Sequence, residues 1–333
     1  MHLISGTPPR PRHRLTQPRR DPVVIAHRGA SGYRPEHTLA AYRLAIRLGT
    51  DYIEPDLVVT ADGVLVARHE NEISQTTDVA RRPELAARRT TKVVDDREVT
   101  GWFTEDLTLA ELRSLRAVER LPADRPGNTR YDGFFQVPTF AEVLDLAERE
   151  GRRRGAVVGV YPETKHPAHF TALGLAPEPR LLAELRRRHL DRPGTPVVVQ
   201  SFDPTSLRLL AEESHVPLVQ LVGAADPRLL SPAGLADIAS YADGIGPEKS
   251  LVLPGGQPSD LVGRAHAHDL LVHVWTLRAE ERFRTPGLGL EGPSTPEAEV
   301  QAYLDAGVDG VFTDHPDVAV RVRGAGLLSP AGA

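Results

Sequence analysis

Short apolar runs rich in β-branched residues alternate with stretches of helical period from Val23 to about Arg323. The runs fall at 22–26, 51–59, 64–69, 156–163, 196–202, 217–222, 243–247, 270–276 and 308–313, and each reads as a strand. Several helix starts between them carry end signals. Thr108 with Glu111 and Thr139 with Glu142 fit capping boxes. Asp203-Pro204 and Ser231-Pro232 fit an N-cap followed by proline at the first helical position. Strand–helix alternation over this length predicts a parallel α/β fold, either a barrel or an open sheet.

Nine runs are one too many for an eight-stranded barrel. The runs at 51–59 and 64–69 are separated by Ala61-Asp62-Gly63, and Asp-Gly is a hairpin turn signal. The second of the two is therefore expected to turn back antiparallel as a rim hairpin. The remaining eight strands predict a TIM (β/α)8 barrel over residues 22–323. Residues 71–135 hold no strand–helix unit that the barrel needs and are expected to form an insertion over its top. Residues 1–21, rich in Pro and Arg, are expected to be disordered, and 324–333 to form a loose tail.

Composition narrows the function classes. The net charge of −5 over 333 residues offers no broad basic field for nucleic acid. Lysine occurs only at Lys92, Lys165 and Lys249, so a lysine inside a motif carries weight. The absence of cysteine excludes disulfides, thiolate zinc sites and a thiol nucleophile. No apolar run reaches the length of a membrane span, and Arg19-Arg20 is followed by no apolar signal-peptide segment. The expected location is the cytoplasm if Met1 is the native start, and otherwise an exported compartment with the leader absent. Oligomeric state is not legible.

The candidate chemistry clusters early. Ala26-His27-Arg28-Gly29 closes the first strand, at the end that carries the catalytic face of a parallel barrel. Glu54 and Asp56 lie two apart on the next strand and so share a face. A solvated strand face is one reading. Tyr52, Ile53, Leu57 and Val59 argue instead for a buried strand, where paired carboxylates need a cation or protons. With Asp62-Gly63 as a two-residue turn, Asp56 would face His69 across the hairpin, roughly 5 Å away by Cβ. Glu36 and His37 are expected to cap the first helix, with possible contact to the site. Histidines 189, 215, 266 and 268 are expected on surfaces or loops.

Taken together, Ala26-His27-Arg28-Gly29, Pro35-Glu36-His37-Thr38, Ile53-Glu54-Pro55-Asp56-Leu57 and His69-Glu70 resemble the glycerophosphodiester phosphodiesterase family. Gly159-Val160-Tyr161-Pro162-Glu163-Thr164-Lys165, Gln200-Ser201-Phe202-Asp203, Tyr241–Pro247, Trp275-Thr276 and Phe312-Thr313-Asp314-His315-Pro316 continue the resemblance in the same order. It spans roughly residues 22–323 and is closest to the bacterial periplasmic-type members. His69-Glu70 departs from the commoner His-Asp form, which puts only the part played by Glu70 in doubt.

The resemblance implies a TIM barrel with a small insertion. It also implies one divalent cation held by Glu54, Asp56 and Glu163. All-oxygen ligands select Ca²⁺ or Mg²⁺, and the periplasmic-type likeness points to Ca²⁺. His27 and His69 are the implied acid–base pair, with His27 as base and His69 as acid. Arg28 and Lys165 are the natural phosphate donors. Trp275, Gln200 and Phe202 fit the wall of a glycerol pocket, and equally fit core packing and a strand-end turn. The expected reaction is metal-dependent hydrolysis of a small-molecule glycerophosphodiester to sn-glycerol 3-phosphate and an alcohol, through a cyclic phosphate. The alternatives are a lysophospholipase D, a teichoic-acid-type phosphodiesterase, or a catalytically silent binding protein on the same barrel.

Overall fold

The computed structural model describes residues 21–288 and 294–328. The expected disordered segment therefore lies outside the described residues, save Asp21. Of the expected tail, residues 324–328 continue the helix Pro316–Leu328, and the rest lies outside the described residues.

Thirteen strands are present among the described residues. They are β1 (Val23–His27), β2 (Tyr52–Glu54), β3 (Asp56–Val59), β4 (Leu65–Ala67), β5 (Thr90–Val94), β6 (Arg97–Gly101), β7 (Gly159–Val160), β8 (Glu163–Thr164), β9 (Val199–Ser201), β10 (Leu218–Val222), β11 (Gly244–Pro247), β12 (Leu271–Leu277) and β13 (Gly310–Thr313). β2 and β3 are one course of chain interrupted at Pro55, which has no N–H for the ladder. β7 and β8 are likewise one course interrupted at Tyr161-Pro162. Counted so, eight parallel strands follow one another in chain order. β1 pairs with both β2 and β13, and β2–β7, β3–β8, β8–β9 and the successive pairs to β13 complete the ring. The fold is a TIM barrel.

Strand parity divides the side chains into two sets. Val24, Ala26, Ile53, Leu57 and Val59 belong to the large core between strands and helices. Val23, Ile25, Tyr52, Tyr161, Val198, Val219 and Phe312 form a second, smaller core. These occupy inward positions on six of the eight barrel strands, so they fill the barrel interior near its N-terminal end.

All four predicted caps form. Thr108 and Thr139 make capping boxes with Glu111 and Glu142, and Asp203 and Ser231 cap helices that begin with proline. The first helix, Leu39–Arg47, is capped by Thr38, which accepts from Ala41 N. Glu36 and His37 do not cap it; their side chains turn to the site described below.

The hairpin register also differs from expectation. β3 and β4 pair antiparallel with Leu57 opposite Ala67, Val58 opposite Val66 and Val59 opposite Leu65. Continuing that register puts Asp56 opposite Arg68, not His69, and Arg68 N donates to Asp56 O at 3.0 Å. The turn is one residue longer than a two-residue loop. Gly63 takes φ +79°, and the Thr60–Val64 backbone bond closes outside it.

Residues 71–135 are built from the β5–β6 hairpin, the short helix Leu109–Ser114 and single turns. Their apolar side chains Ile73, Val79, Trp102, Leu112 and Leu115 join the main core.

Candidate active site

The C-terminal ends of the strands carry the inward positions that follow the small core. β1 ends at His27. The chain then turns through Arg28 and Gly29, with φ of +58° and +85°. Glycine is required at 29 because a Cβ there would lie 2.7 Å from the Ala41 backbone. A left-handed arginine is a strained conformation of the kind held at functional sites. Here the turn points Arg28 N at Glu54 Oε2, 2.8 Å away.

Glu54, Asp56 and Glu163 are buried, and each offers an oxygen within 4.8 Å of the others. Glu54 and Asp56 flank Pro55, and Asp56 pairs in register with Glu163. The triad is surrounded by donors. His37 Nε2 lies 2.8 Å from Asp56 Oδ2, and its Nδ1 lies 2.7 Å from the Tyr42 hydroxyl. Arg28 Nε approaches the same Asp56 oxygen at 3.3 Å. Lys165 Nζ donates to Glu163 Oε1 at 2.9 Å and lies 3.7 Å from Asp56 Oδ1. Gln200 Nε2 donates to Glu54 Oε1 at 3.3 Å.

Two buried oxygens of residues at this site, Asp56 Oδ1 and Gln200 Oε1, accept no hydrogen bond among the described residues. Burial, with the charges of Asp56 and Glu163, pushes the Glu54 carboxyl well above its usual range. Burial likewise pushes Glu163 up to about 8, against the pull of Lys165. Burial opposes ionisation of Asp56 too, but Lys165, His69 and His37 outweigh it and hold that carboxyl well below the usual range. Three carboxylates this close cannot all ionise without a further positive charge. The residues therefore fit a hard divalent cation, with oxygen-only donors and unsatisfied acceptors.

His27, Arg28, Glu54, His69, Glu163, Lys165, Gln200, Phe202 and Trp275 line one cavity of about 300 Å³. Every residue singled out from the sequence thus reaches one place, with Asp56 just beneath the wall. Phe202 and Trp275 meet edge to face at 5.7 Å, and Trp275 Nε1 donates to Gly246 O at 2.6 Å. The second tryptophan, Trp102, lies in the insertion and donates to Leu85 O.

Each histidine is held from behind by a carboxylate. His27 Nδ1 lies 2.6 Å from Asp314 Oδ1, and His69 Nδ1 lies 2.5 Å from Glu70 Oε1. That contact fixes Nδ1–H as the proton-bearing nitrogen and leaves Nε2 free. Burial and Arg28 lower His27 to about 4. Burial, Arg28 and Lys165 lower His69 to about 3. Both are neutral at pH 7 in the absence of substrate.

Three features were not read from the sequence. Asp314 appeared only within a motif, although Phe312 and Asp314 continue the inward parity of β13. Arg120 bridges Glu36 and Glu70, donating to each carboxylate at 2.6–3.0 Å. Arg125 donates to Asp314 Oδ2 at 2.5 Å. No local pattern distinguishes these two arginines from the many others in the chain. Glu36, expected as a cap, accepts from Arg28 at 3.0 Å.

Comparison with known proteins gives the family. The profile of the glycerophosphoryl diester phosphodiesterase family matches residues 27–318. A glycerophosphodiester phosphodiesterase of Arabidopsis thaliana is 36% identical over 321 residues, covering 88% of this chain and 83% of that one. The Bacillus subtilis (strain 168) glycerophosphodiester phosphodiesterase is 31% identical over 308 residues, covering 90% and 86%. Among solved structures, a putative glycerophosphoryl diester phosphodiesterase from Silicibacter pomeroyi DSS-3 superposes with a TM-score of 0.70 at 24% identity, over 94% of this chain and 97% of that one. An Oleispira antarctica phosphodiesterase in complex with the product sn-glycerol-3-phosphate has a TM-score of 0.62 at 21% identity, over 91% and 96%. With the profile spanning most of the chain and relatives above 30% identity along nearly its whole length, this chain belongs to the glycerophosphoryl diester phosphodiesterase family.

Proposed function

We propose that the protein hydrolyses glycerophosphodiesters to sn-glycerol 3-phosphate and an alcohol, using a divalent cation held by Glu54, Asp56 and Glu163. The observation that carries this is the buried carboxylate triad, two members of which, Glu54 and Glu163, line one cavity with two carboxylate-backed histidines. Its donor set supports Ca²⁺ or Mg²⁺, and the likeness to periplasmic-type members favours Ca²⁺. The cation would orient the glycerol hydroxyls and neutralise charge growing on the phosphoryl oxygens.

His27, neutral and with Nδ1 committed to Asp314, serves as base through Nε2. It takes the proton of the glycerol hydroxyl next to the phosphorus, whose oxygen forms the new P–O bond. The bond from phosphorus to the leaving alcohol breaks, and that alcohol takes a proton from His69. Burial and then Arg28 and Lys165 depress His69; the anionic diester offsets the two cations, so His69 takes up a solvent proton on Nε2 as substrate binds and passes it to the leaving oxygen. Water then opens the cyclic phosphate with the two histidines in reversed roles. Arg28 and Lys165, both on the cavity wall, supply positive charge for the phosphoryl oxygens. Trp275 and Phe202 provide the apolar side of the glycerol pocket. The catalytic unit is residues 22–323, with 71–135 as the insertion over its mouth.

The test is release of sn-glycerol 3-phosphate from glycerophosphocholine by the purified chain. Activity is expected to stop with EDTA and return with Ca²⁺ or Mg²⁺. It is expected to be absent in His27→Ala and Glu54→Ala. Activity that survives EDTA or either substitution would overturn the reading.

A further inference from the structure

The insertion does more than overhang the barrel. Its segment 119–128 is tied into a compact loop by its own bonds. Asn128 Nδ2 donates to Glu119 Oε2 at 3.0 Å, Arg125 N to Leu121 O at 2.8 Å, and Asn128 N to Arg125 O at 2.9 Å. Two arginines leave this loop, and each ends on the carboxylate behind a different histidine.

Arg120 donates through Nη1 and Nη2 to both oxygens of Glu70, at 3.0 and 2.6 Å. Its Nε and Nη2 take both oxygens of Glu36, at 2.8 and 2.7 Å, and Glu36 holds Arg28. Arg125 donates through Nη2 to Asp314 Oδ2 and through Nη1 to Ser31 O at 2.9 Å. Its Nε meets Glu280 Oε1. Ser31 Oγ in turn donates to His27 O at 2.8 Å.

The two carboxylates are held in a similar way. In each, one oxygen meets the histidine and the other meets an arginine of the loop, and Glu70 Oε1, the oxygen on His69, accepts from Arg120 as well. A carboxylate tied to a guanidinium has a fixed plane, and that plane sets the ring of the histidine bonded to it. Neither arginine lines the cavity that holds His27, His69 and the triad.

We infer that residues 119–128 are a positioning clamp: Arg120 and Arg125 fix the carboxylates that aim His69 and His27, so both proton-transfer groups are aligned by the docking of one loop. This rests on the proposed role of the histidines. The clamp is uneven. Asp314 also accepts from Arg278 Nε at 2.9 Å, whereas Arg120 is the arginine that Glu70 has among the described residues. Loss of Arg120 therefore costs more than loss of Arg125.

The experiment uses the full chain with saturating Ca²⁺ or Mg²⁺ and glycerophosphocholine as substrate. Arg120→Met is expected to lower kcat by about 10- to 100-fold, the range seen when an outer hydrogen-bond partner is removed. Arg125→Met is expected to lower it less. Arg120→Lys keeps the charge without the fork and is expected to recover part of the loss. Because Arg120 acts through Glu70, Arg120→Met combined with Glu70→Gln is expected to be no slower than Glu70→Gln alone. That non-additivity separates positioning from a general loss of stability. If Arg120→Met does not fold, the same comparison is made with Arg120→Lys.

Two results would overturn the clamp by itself: arginine variants within twofold of the parent kcat while His27→Ala and His69→Ala are inactive, or losses that add in full to that of Glu70→Gln. Activity retained by the two histidine variants would remove the histidine reading, and the clamp with it.

Discussion

At the floor of the barrel the inward positions are Val23, Ile25, Tyr52, Tyr161, Val198, Val219 and Phe312, all nearly inaccessible to solvent. Two or four residues further along the same strands, the same face presents His27, Glu54, Asp56, Glu163, Lys165 and Gln200. Both layers are buried, but they resolve burial in opposite ways. The floor is satisfied by contact: the Tyr161 ring meets those of Tyr52 and Phe312 at 5.8 and 5.2 Å, and its hydroxyl reaches His273 at 2.9 Å. The mouth keeps like charges together and leaves acceptors unsatisfied. Buried polar groups without partners cost stability, so their presence here marks a site arranged for a ligand rather than for the fold.

Reciprocal substitutions break this comparison most sharply. Glu54→Gln replaces a carboxylate ligand with a neutral amide. Activity is expected to fall by about 10³-fold or more, since the ion is asked to supply several kcal/mol of transition-state stabilisation. The metal-free chain is expected to unfold at the same denaturant concentration as the parent or a higher one, because a buried acid crowded against Asp56 and Glu163 is gone. Tyr161→Ala is the converse. It is expected to cost about 3–5 kcal/mol by the same measurement, with kcat per folded molecule changed only a few-fold. A destabilising Glu54→Gln together with a harmless Tyr161→Ala would reverse the assignment of the two layers.

A smaller effect sharpens the same contrast through protons. In the metal-free protein, burial raises Glu163 to about 8 and Glu54 well above its usual range, so the triad holds protons at pH 7. A bound cation must displace them. Affinity for Ca²⁺ or Mg²⁺ is therefore expected to rise with pH up to about 8, by roughly tenfold per pH unit for each proton released. For the Glu163 proton the dependence flattens above that pH. Calorimetric titration in buffers of different ionisation enthalpy reads the protons directly. Affinity independent of pH between 6 and 8 would show that the carboxylates are already ionised.

How the mouth differs from the floor was largely legible in the chain. Parity alone puts Glu54 and Asp56 on the face of Tyr52, and Glu163 and Lys165 on the face of Tyr161, because successive strand residues alternate sides. Pro55 hides the continuity of the second barrel strand from a hydrogen-bond pattern but not from that parity. What stayed hidden depends on pairs distant in sequence. Arg120 meets Glu36 across 84 positions, and Arg125 meets Asp314 across 189, and no periodicity encodes such partners. His37 and Glu36 were expected both to cap the first helix and to contact the site, and only the contact forms. A polar group just before a helix reads as a cap, yet Thr38 takes that task and frees both side chains for Asp56 and Arg28.

The hairpin that carries His69 gives the smallest effect. Its register was misjudged because Asp62-Gly63 reads as a two-residue turn, whereas Gly63 at φ +79° closes a loop one residue longer. A Cβ at 63 would meet Arg180 Nε and Nη2 at 3.3 Å, at the end of a side chain able to move aside. The cost of Gly63→Ala is then mainly the left-handed backbone, about 1 kcal/mol in chemical denaturation. The register itself should not slip. A shift by one residue would turn Leu57, Val59, Leu65 and Ala67, all in the main core, to the opposite face. His69 should therefore keep its place over the triad, and kcat on glycerophosphocholine should stay within twofold of the parent. A large loss of kcat would mean that the turn, and not the buried ladder below it, positions the histidine.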